Sequence, residues 1–190
     1  MRNVKRILGL TAVATASSLL LSGCNSAFDD NTANNSMGYK PSYASAVPKR
    51  PAYNFASTRP ATGKDVFIFD PKQLAWAAYD ANGKLIKTGI ASGGANYCPD
   101  IKQKCRTPVG TFTVHREGGA DCKSNKFPIG KGGAPMPHCA FFTGGYAVHG
   151  SYDVPAYNAS HGCIRVTPSA AKWLDANVLN AGSTVIVKSY

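Results

Sequence analysis

Apolar positions fall along this chain in three different patterns. From Ile7 to Leu21 they are nearly continuous, behind a start that carries Arg2, Lys5 and Arg6. From Asn25 to Gly63 they follow no period, and Asn, Ser, Ala and Pro dominate. From Lys64 onward they come in short runs broken by Gly, Pro and Asn. Val66-Phe67-Ile68-Phe69 is β-branched and aromatic and is closed by Pro71, which predicts a strand. Leu74 to Tyr79 and Lys84 to Ala91 flank Asp80-Ala81-Asn82-Gly83, whose Asn-Gly end predicts a hairpin. Thr111 to His115 alternates, with Phe112 and Val114 on one face. Ala140 to Phe142 and Tyr146 to His149 predict two strands around Gly144-Gly145, and Thr184 to Lys188 predicts a closing strand. One helix is predicted, with Thr167 as N-cap and Pro168 at its first position. Ala170, Trp173, Leu174 and Val178 follow at helical spacing, and Gly182 lies beyond the end. Short strands with one short C-terminal helix predict a mainly β fold, a sandwich.

The first apolar run is too short to span a bilayer comfortably, and its basic start and small-residue end are those of an export signal. Leu21-Ser22-Gly23-Cys24 resembles a bacterial lipobox. That resemblance implies a signal peptide over residues 1–23 and a lipid on Cys24. Asn25 follows the cysteine, which by analogy with proteobacterial sorting implies the outer membrane of a Gram-negative cell, with the protein facing the periplasm. Each buried CH₂ of an acyl chain contributes about 0.8 kcal/mol to such anchoring. Residues 24–63 then read as a lipidated flexible tether, and residues 64–190 as the folded, catalytic domain. A flexible chain over 25–63 spans about 35 Å root-mean-square and roughly 130 Å when fully extended. Its aromatic residues, Tyr39, Tyr43, Tyr53 and Phe55, leave open that part of it docks on the domain.

The chain has 190 residues and a formal net charge of +11. From Lys64 onward there are fourteen Lys and Arg against eight Asp and Glu, and the cations concentrate near loops: Lys102, Lys104, Arg106, Lys123, Lys126 and Lys131. Basic loops suit an anionic partner. An exported protein seldom meets nucleic acid, so none is expected. Of the six cysteines, Cys98, Cys105, Cys122 and Cys139 form an even set in an exported domain, where disulfides are the rule. Three connectivities exist for four cysteines. Cys98–Cys105 and Cys122–Cys139 are favoured, because they close Gly- and Lys-rich loops with little apolar content. A redox relay through Cys163 is the competing reading.

The chemistry concentrates between His149 and Arg165, with Ser160-His161-Gly162-Cys163 at its centre. A cysteine nucleophile needs a base near it. His161 and Cys163 share a face if this segment is a strand. Gly162 lets a substrate approach the backbone, and its amide with that of Cys163 would receive an oxyanion. His149 must return through a loop carrying Pro155. A zinc site from Cys139, His149, His161 and Cys163 fits poorly, because structural zinc favours short paired spacings. No metal or cofactor is therefore expected.

His149-Gly150 followed by Ser160-His161-Gly162-Cys163-Ile164-Arg165 resembles the signature of the L,D-transpeptidases, the YkuD-type catalytic domain. Thr107-Pro108-Val109-Gly110-Thr111-Phe112 and Met136-Pro137 resemble two further elements of that family. The likeness covers roughly Lys64 to Lys188, with a spacer between His149 and Ser160 that is short for the family. The resemblance implies a YkuD-type β-sandwich that acts on peptidoglycan stem peptides through a thioester on Cys163. His149 would be proton acceptor and donor, lowering the thiol pKa by pairing as an imidazolium. His161, Gly162, Ser160 and Arg165 would serve the oxyanion and substrate. The acyl acceptor would be a second stem peptide, a lysine of an outer-membrane protein, or water. The rival readings are an amidase cutting protein-to-wall links and a non-catalytic wall-binding lipoprotein. A monomer is expected.

Overall fold

The computed structural model describes residues 53–190. The expected signal peptide, the lipidation expected on Cys24 and the expected tether up to residue 52 fall outside the described residues. Two sheets form the domain. One has the order β3-β2-β1-β9-β4 and the other β5-β6-β7-β8. The first comprises β1 (Val66–Asp70), β2 (Ala75–Tyr79), β3 (Leu85–Ile90), β4 (Gly110–Thr113) and β9 (Thr184–Val187). The second comprises β5 (Arg116–Gly118), β6 (Cys139–Thr143), β7 (Tyr146–Gly150) and β8 (Ile164–Val166). The mainly β class and the single helix among the described residues, α1 (Pro168–Asn177), are as the hydrophobic pattern predicts.

Local chemistry explains the elements. The predicted hairpin joins β2 to β3, and Gly83 at its end has φ +83°, which favours glycine. Thr167 caps α1, its hydroxyl accepting from the Ala170 N–H at 3.2 Å, with Pro168 in the first turn. The helix closes at Val178, whose N–H bonds to the Leu174 carbonyl, four residues earlier than Gly182. Two strands go beyond those the pattern predicts, β5 and β8. Each has three residues, too few for a period to show.

Alternation divides the second sheet cleanly. Ala140, Phe142, Val148, Ile164 and Val166 face the main core, where they meet Phe67, Phe69, Trp76, Val114, Val185 and, from the helix, Ala171 and Leu174. Cys139, Phe141 and Ala147 point the other way, into a smaller apolar cluster with Met136. Cys163 packs against that second cluster. Cys163 thus lies on the side of the sheet turned away from the main core.

Residues 53–63, expected as the end of the tether, lie against the domain. The Leu85 and Arg59 amides pair with the Ser57 and Gly83 carbonyls at 2.9 and 2.8 Å, and Tyr79 donates its hydroxyl to the Ala56 carbonyl at 2.8 Å. Phe55 packs beside Val66, Ala77 and Tyr79. The docking that the aromatic residues left open therefore holds for Phe55.

Candidate active site

The register of the second sheet builds the site. β7 and β8 run parallel, pairing Val148 with Ile164, His149 with Arg165 and Gly150 with Val166. Parallel neighbours need a crossover of about a dozen residues or more, and residues 151–163 supply it. Paired residues share a face, and side chains alternate along a strand. His149 and Arg165 therefore point to the same side, and Cys163, immediately ahead of β8, continues that alternation. All three line one cavity of about 770 Å³, within the range of small-molecule sites.

The signature segment is not the strand that would put His161 and Cys163 on a common face. Residues 161 and 162 form a bend, and β8 begins only at Ile164. Gly162 has φ +121°, and a Cβ there would meet the Tyr146 ring at 2.2 Å. The segment bends because glycine permits it, and Tyr146 fills the space that a side chain would need. Even so, the bend delivers both His161 and Cys163 to the same cavity.

Ser160 holds the bend together. Its buried hydroxyl donates to the Cys163 carbonyl at 2.5 Å and accepts from the Gly162 N–H at 3.0 Å. This corrects the expected oxyanion site. The Gly162 amide is spent on Ser160, which leaves the Cys163 amide as the backbone donor of the pair. Ser160 is in turn hung on residues 92–95: its N–H donates to the Gly93 carbonyl and the Ala95 N–H to its carbonyl, both at 2.9 Å. The Thr-Pro-x-Gly-x-Phe element buttresses this from behind. Buried Thr107 accepts from the Gly94 N–H at 3.0 Å, and Gly94 bridges to Ser160.

His149 is buried, at 6% exposure, and its Nδ1 lies 2.9 Å from the Gly150 carbonyl. A carbonyl only accepts, so Nδ1 carries the proton and Nε2 is the basic nitrogen when the ring is neutral. Burial lowers its pKa to about 4, against a smaller opposing effect of the Gly150 bond, and the nearby Arg165 charge lowers it further. Burial also pushes the Cys163 thiol up from its usual range, outweighing a bond to the Ala147 backbone and the pull of Arg165. Both shifts favour the uncharged forms of these two groups, which line the same cavity. Burial works against the thiolate–imidazolium pair that the resemblance implies, because the cavity wall desolvates both charges.

Arg165 is held at 2.8 Å by Asp153, an exposed residue of the crossover loop that sequence reasoning did not single out. His161 donates through its Nε2–H to the Asp100 carboxylate, 2.8 Å away, and its ring stacks on Phe127 with centroids 4.1 Å apart. Both partners were missed in the sequence. Asp100 lies inside the Cys98–Cys105 loop and Phe127 inside the Cys122–Cys139 loop, and both expected disulfides are present. Cys163 is the free cysteine among the described residues, so no relay through it exists here. Cys98, Asp100 and His161 cluster within 4.8 Å, but the Cys98 sulfur is bonded to Cys105 and supplies no thiolate to a metal. His138, next to Cys139, pairs with Asp175 at 2.7 Å. His115 is exposed between β4 and β5.

The cavity rim is cationic. Lys104, Arg116, Lys123, Lys126 and Arg165 line it, and Asp153, already paired with Arg165, is the acidic residue among its lining.

The domain is a two-sheet sandwich with a cysteine, a tautomer-fixed histidine and a cationic cleft on one sheet face. The chain belongs to the YkuD family, matching the L,D-transpeptidase catalytic domain over residues 63–187. Solved structures agree. An L,D-transpeptidase from Xylanimonas cellulosilytica is 28% identical, with TM-score 0.59, covering 70% of this chain and 64% of that one. One from Mycobacterium smegmatis is 24% identical, with TM-score 0.55 and coverage of 66% and 59%. L,D-transpeptidase 3 from Mycobacterium tuberculosis, solved with a faropenem-derived adduct, is 22% identical, with TM-score 0.53 and coverage of 66% and 60%. The chain thus spans about six tenths of the length of these proteins. It has no significant match among curated proteins.

Proposed function

We propose that this protein is a lipid-anchored L,D-transpeptidase that rearranges peptidoglycan stem peptides through a thioester on Cys163. The observation that carries this reading is the sheet register, which turns His149, Arg165 and Cys163 to one face, with Nε2 of His149 left as the basic nitrogen. In the donor step, His149 Nε2 takes the thiol proton as sulfur attacks the carbonyl carbon of the diamino acid in a tetrapeptide stem. The Cys163 amide receives the developing oxyanion. Collapse breaks the bond to the terminal D-alanine, whose amine leaves with the proton from His149. An acceptor amine then attacks the thioester, gives its proton to His149, and restores the thiol. A neutral imidazole is what this first step needs, so the low pKa of His149 suits a general base.

The cationic rim supports an acidic peptide as donor, since stem peptides carry several carboxylates. His161 shapes the substrate side of the cleft. The signal peptide over 1–23, lipid on Cys24, and periplasmic location on the outer membrane complete the reading, the tether giving the enzyme reach toward the wall. The protein acts as a monomer, with no nucleic-acid partner and no cofactor. Muropeptide mass spectrometry of cells with and without the gene tests the function. New 3-3 crosslinks support the stem-peptide acceptor, and protein-linked muropeptides support a lysine acceptor. Loss of such links would establish the amidase instead.

A further inference from the structure

Two loops that are far apart in sequence meet on one side chain. His161 is bonded through Nε2 to both carboxylate oxygens of Asp100, at 2.8 and 3.0 Å, and its ring lies on Phe127 at 4.1 Å with planes 26° apart. Asp100 comes from the loop closed by Cys98–Cys105, and Phe127 from the loop closed by Cys122–Cys139. Neither loop has a core of its own. The first is held by the disulfide and by the Cys98 amide on the Gln103 carbonyl at 2.9 Å. The second is pinned by its disulfide and by internal bonds, among them Phe127 N–H to Ser124 Oγ at 2.9 Å and Ala134 N–H to the Phe127 carbonyl at 3.0 Å.

We infer that Asp100 and Phe127 are positioning residues that clamp His161 against the substrate side of the cleft, each delivered by its own disulfide-closed loop. The inference rests on the reading of the cleft as an acyl-transfer site. Three physical points carry it. Ser160 fixes the backbone of the bend that carries His161, but those bonds do not reach the imidazole, whose partners come from outside the segment. A carboxylate fixes one ring nitrogen, which leaves Nδ1 without a partner among the described residues and defines the atom presented to a ligand. An aromatic face fixes the ring plane, which a single hydrogen bond cannot do. Phe127 also lines the cavity, whereas Asp100 lies outside its lining, so the clamp grips the ring from two directions.

Misplacing a substrate-positioning group by about 1 Å can cost on the order of 100-fold in rate. The test is a coupling experiment on the full domain with its disulfides intact. The rate of acylation of Cys163 by a carbapenem, read by intact mass, is measured for Asp100→Asn and Phe127→Ala, each alone and combined with His161→Ala. Residues acting through His161 should slow acylation at least tenfold on their own and change it less than twofold once His161 is alanine. Phe127→Trp, which keeps an aromatic face, should restore most of the rate. Equal losses with and without His161 would overturn the clamp. So would an unchanged rate in both single variants. A second readout does not depend on activity: the Phe127 ring current should move the His161 ring protons upfield in the NMR spectrum, and Phe127→Ala should abolish that displacement. An absent displacement in the wild type overturns the clamp, whereas a wild type that takes no adduct overturns the enzymatic reading instead.

Discussion

The two histidines of the cleft are held in opposite ways. His149 belongs to the floor. It is part of β7, buried, registered against Arg165 by a parallel pairing, and oriented by the carbonyl of its own neighbour Gly150. His161 belongs to the rim. Its restraints come from residues 61 and 34 positions away, both in loops that lack a core and are closed by disulfides. The floor is a property of the sheet and persists as long as the sandwich does. The rim is conditional on cross-links. A general base needs a fixed tautomer at low cost, and a strand provides that. A substrate-side group needs to be shaped independently of the core, and stapled loops provide that.

The sharpest way to break this comparison is to remove the nucleophile common to both. Cys163→Ala should lower turnover by about 10⁴-fold or more while the circular dichroism spectrum is retained. Muropeptide products unchanged in the variant would show that the floor does not serve Cys163. Next, His149→Ala should slow acylation by about 10²–10⁴-fold, the usual range for a general base. A loss no larger than that of His161→Ala would erase the distinction between floor and rim.

Smaller effects separate the two regions by stability. His149 titrates at about 4 when folded, against 6.5 as its ordinary value, because burial disfavours the imidazolium. The unfolded chain therefore binds the extra proton first as pH falls. The contribution is fully present above about 6.5 and is lost toward pH 4, amounting to about 3 kcal/mol. Urea unfolding at pH 7 and pH 4 should show this loss in the wild type, reduced by that amount in His149→Gln. Replacing Cys122 and Cys139 by serine should cost about 2–4 kcal/mol and also slow acylation, because Phe127 is released. Stability lost with acylation unchanged would disconnect the loop from His161. Least of all, Thr167→Ala should remove the helix cap for about 1 kcal/mol, measurable in thermal melts, with no change at either histidine.

Much of the floor was legible in the sequence, and little of the rim. Alternation revealed the strands flanking Gly144-Gly145, and Thr167-Pro168 marked the helix start, because those signals are local. The likeness of His149-Gly150 to the family signature, with a loop returning to Ser160, singled out His149 as the partner of Cys163. The disulfide pairs followed from loop closure. What remained hidden depends on contacts without a period. β5 and β8 are three residues each and exist because neighbouring strands pair with them. The Gly162 amide looked free until the Ser160 hydroxyl was found on it. Asp100 and Phe127 carry no sequence signal beyond standing inside cysteine-closed loops. The upward push on the thiol was hidden for a related reason: adjacency of His and Cys says nothing of how dry the cavity is, and burial outweighs the Ala147 bond and the Arg165 charge.

The central claim is that the floor works by general-base catalysis from a neutral pair. The pH dependence of Cys163 alkylation by iodoacetamide, set beside that of its acylation by a carbapenem, tests it most directly. Alkylation should climb continuously with pH, with a midpoint above the ordinary thiol value of about 8.5 and no plateau near neutrality. Acylation should instead hold near its maximum down to about pH 5, since His149 stays neutral until about 4. An alkylation plateau between pH 5 and 8 that vanishes in His149→Ala would reveal a preformed thiolate–imidazolium pair and contradict the account.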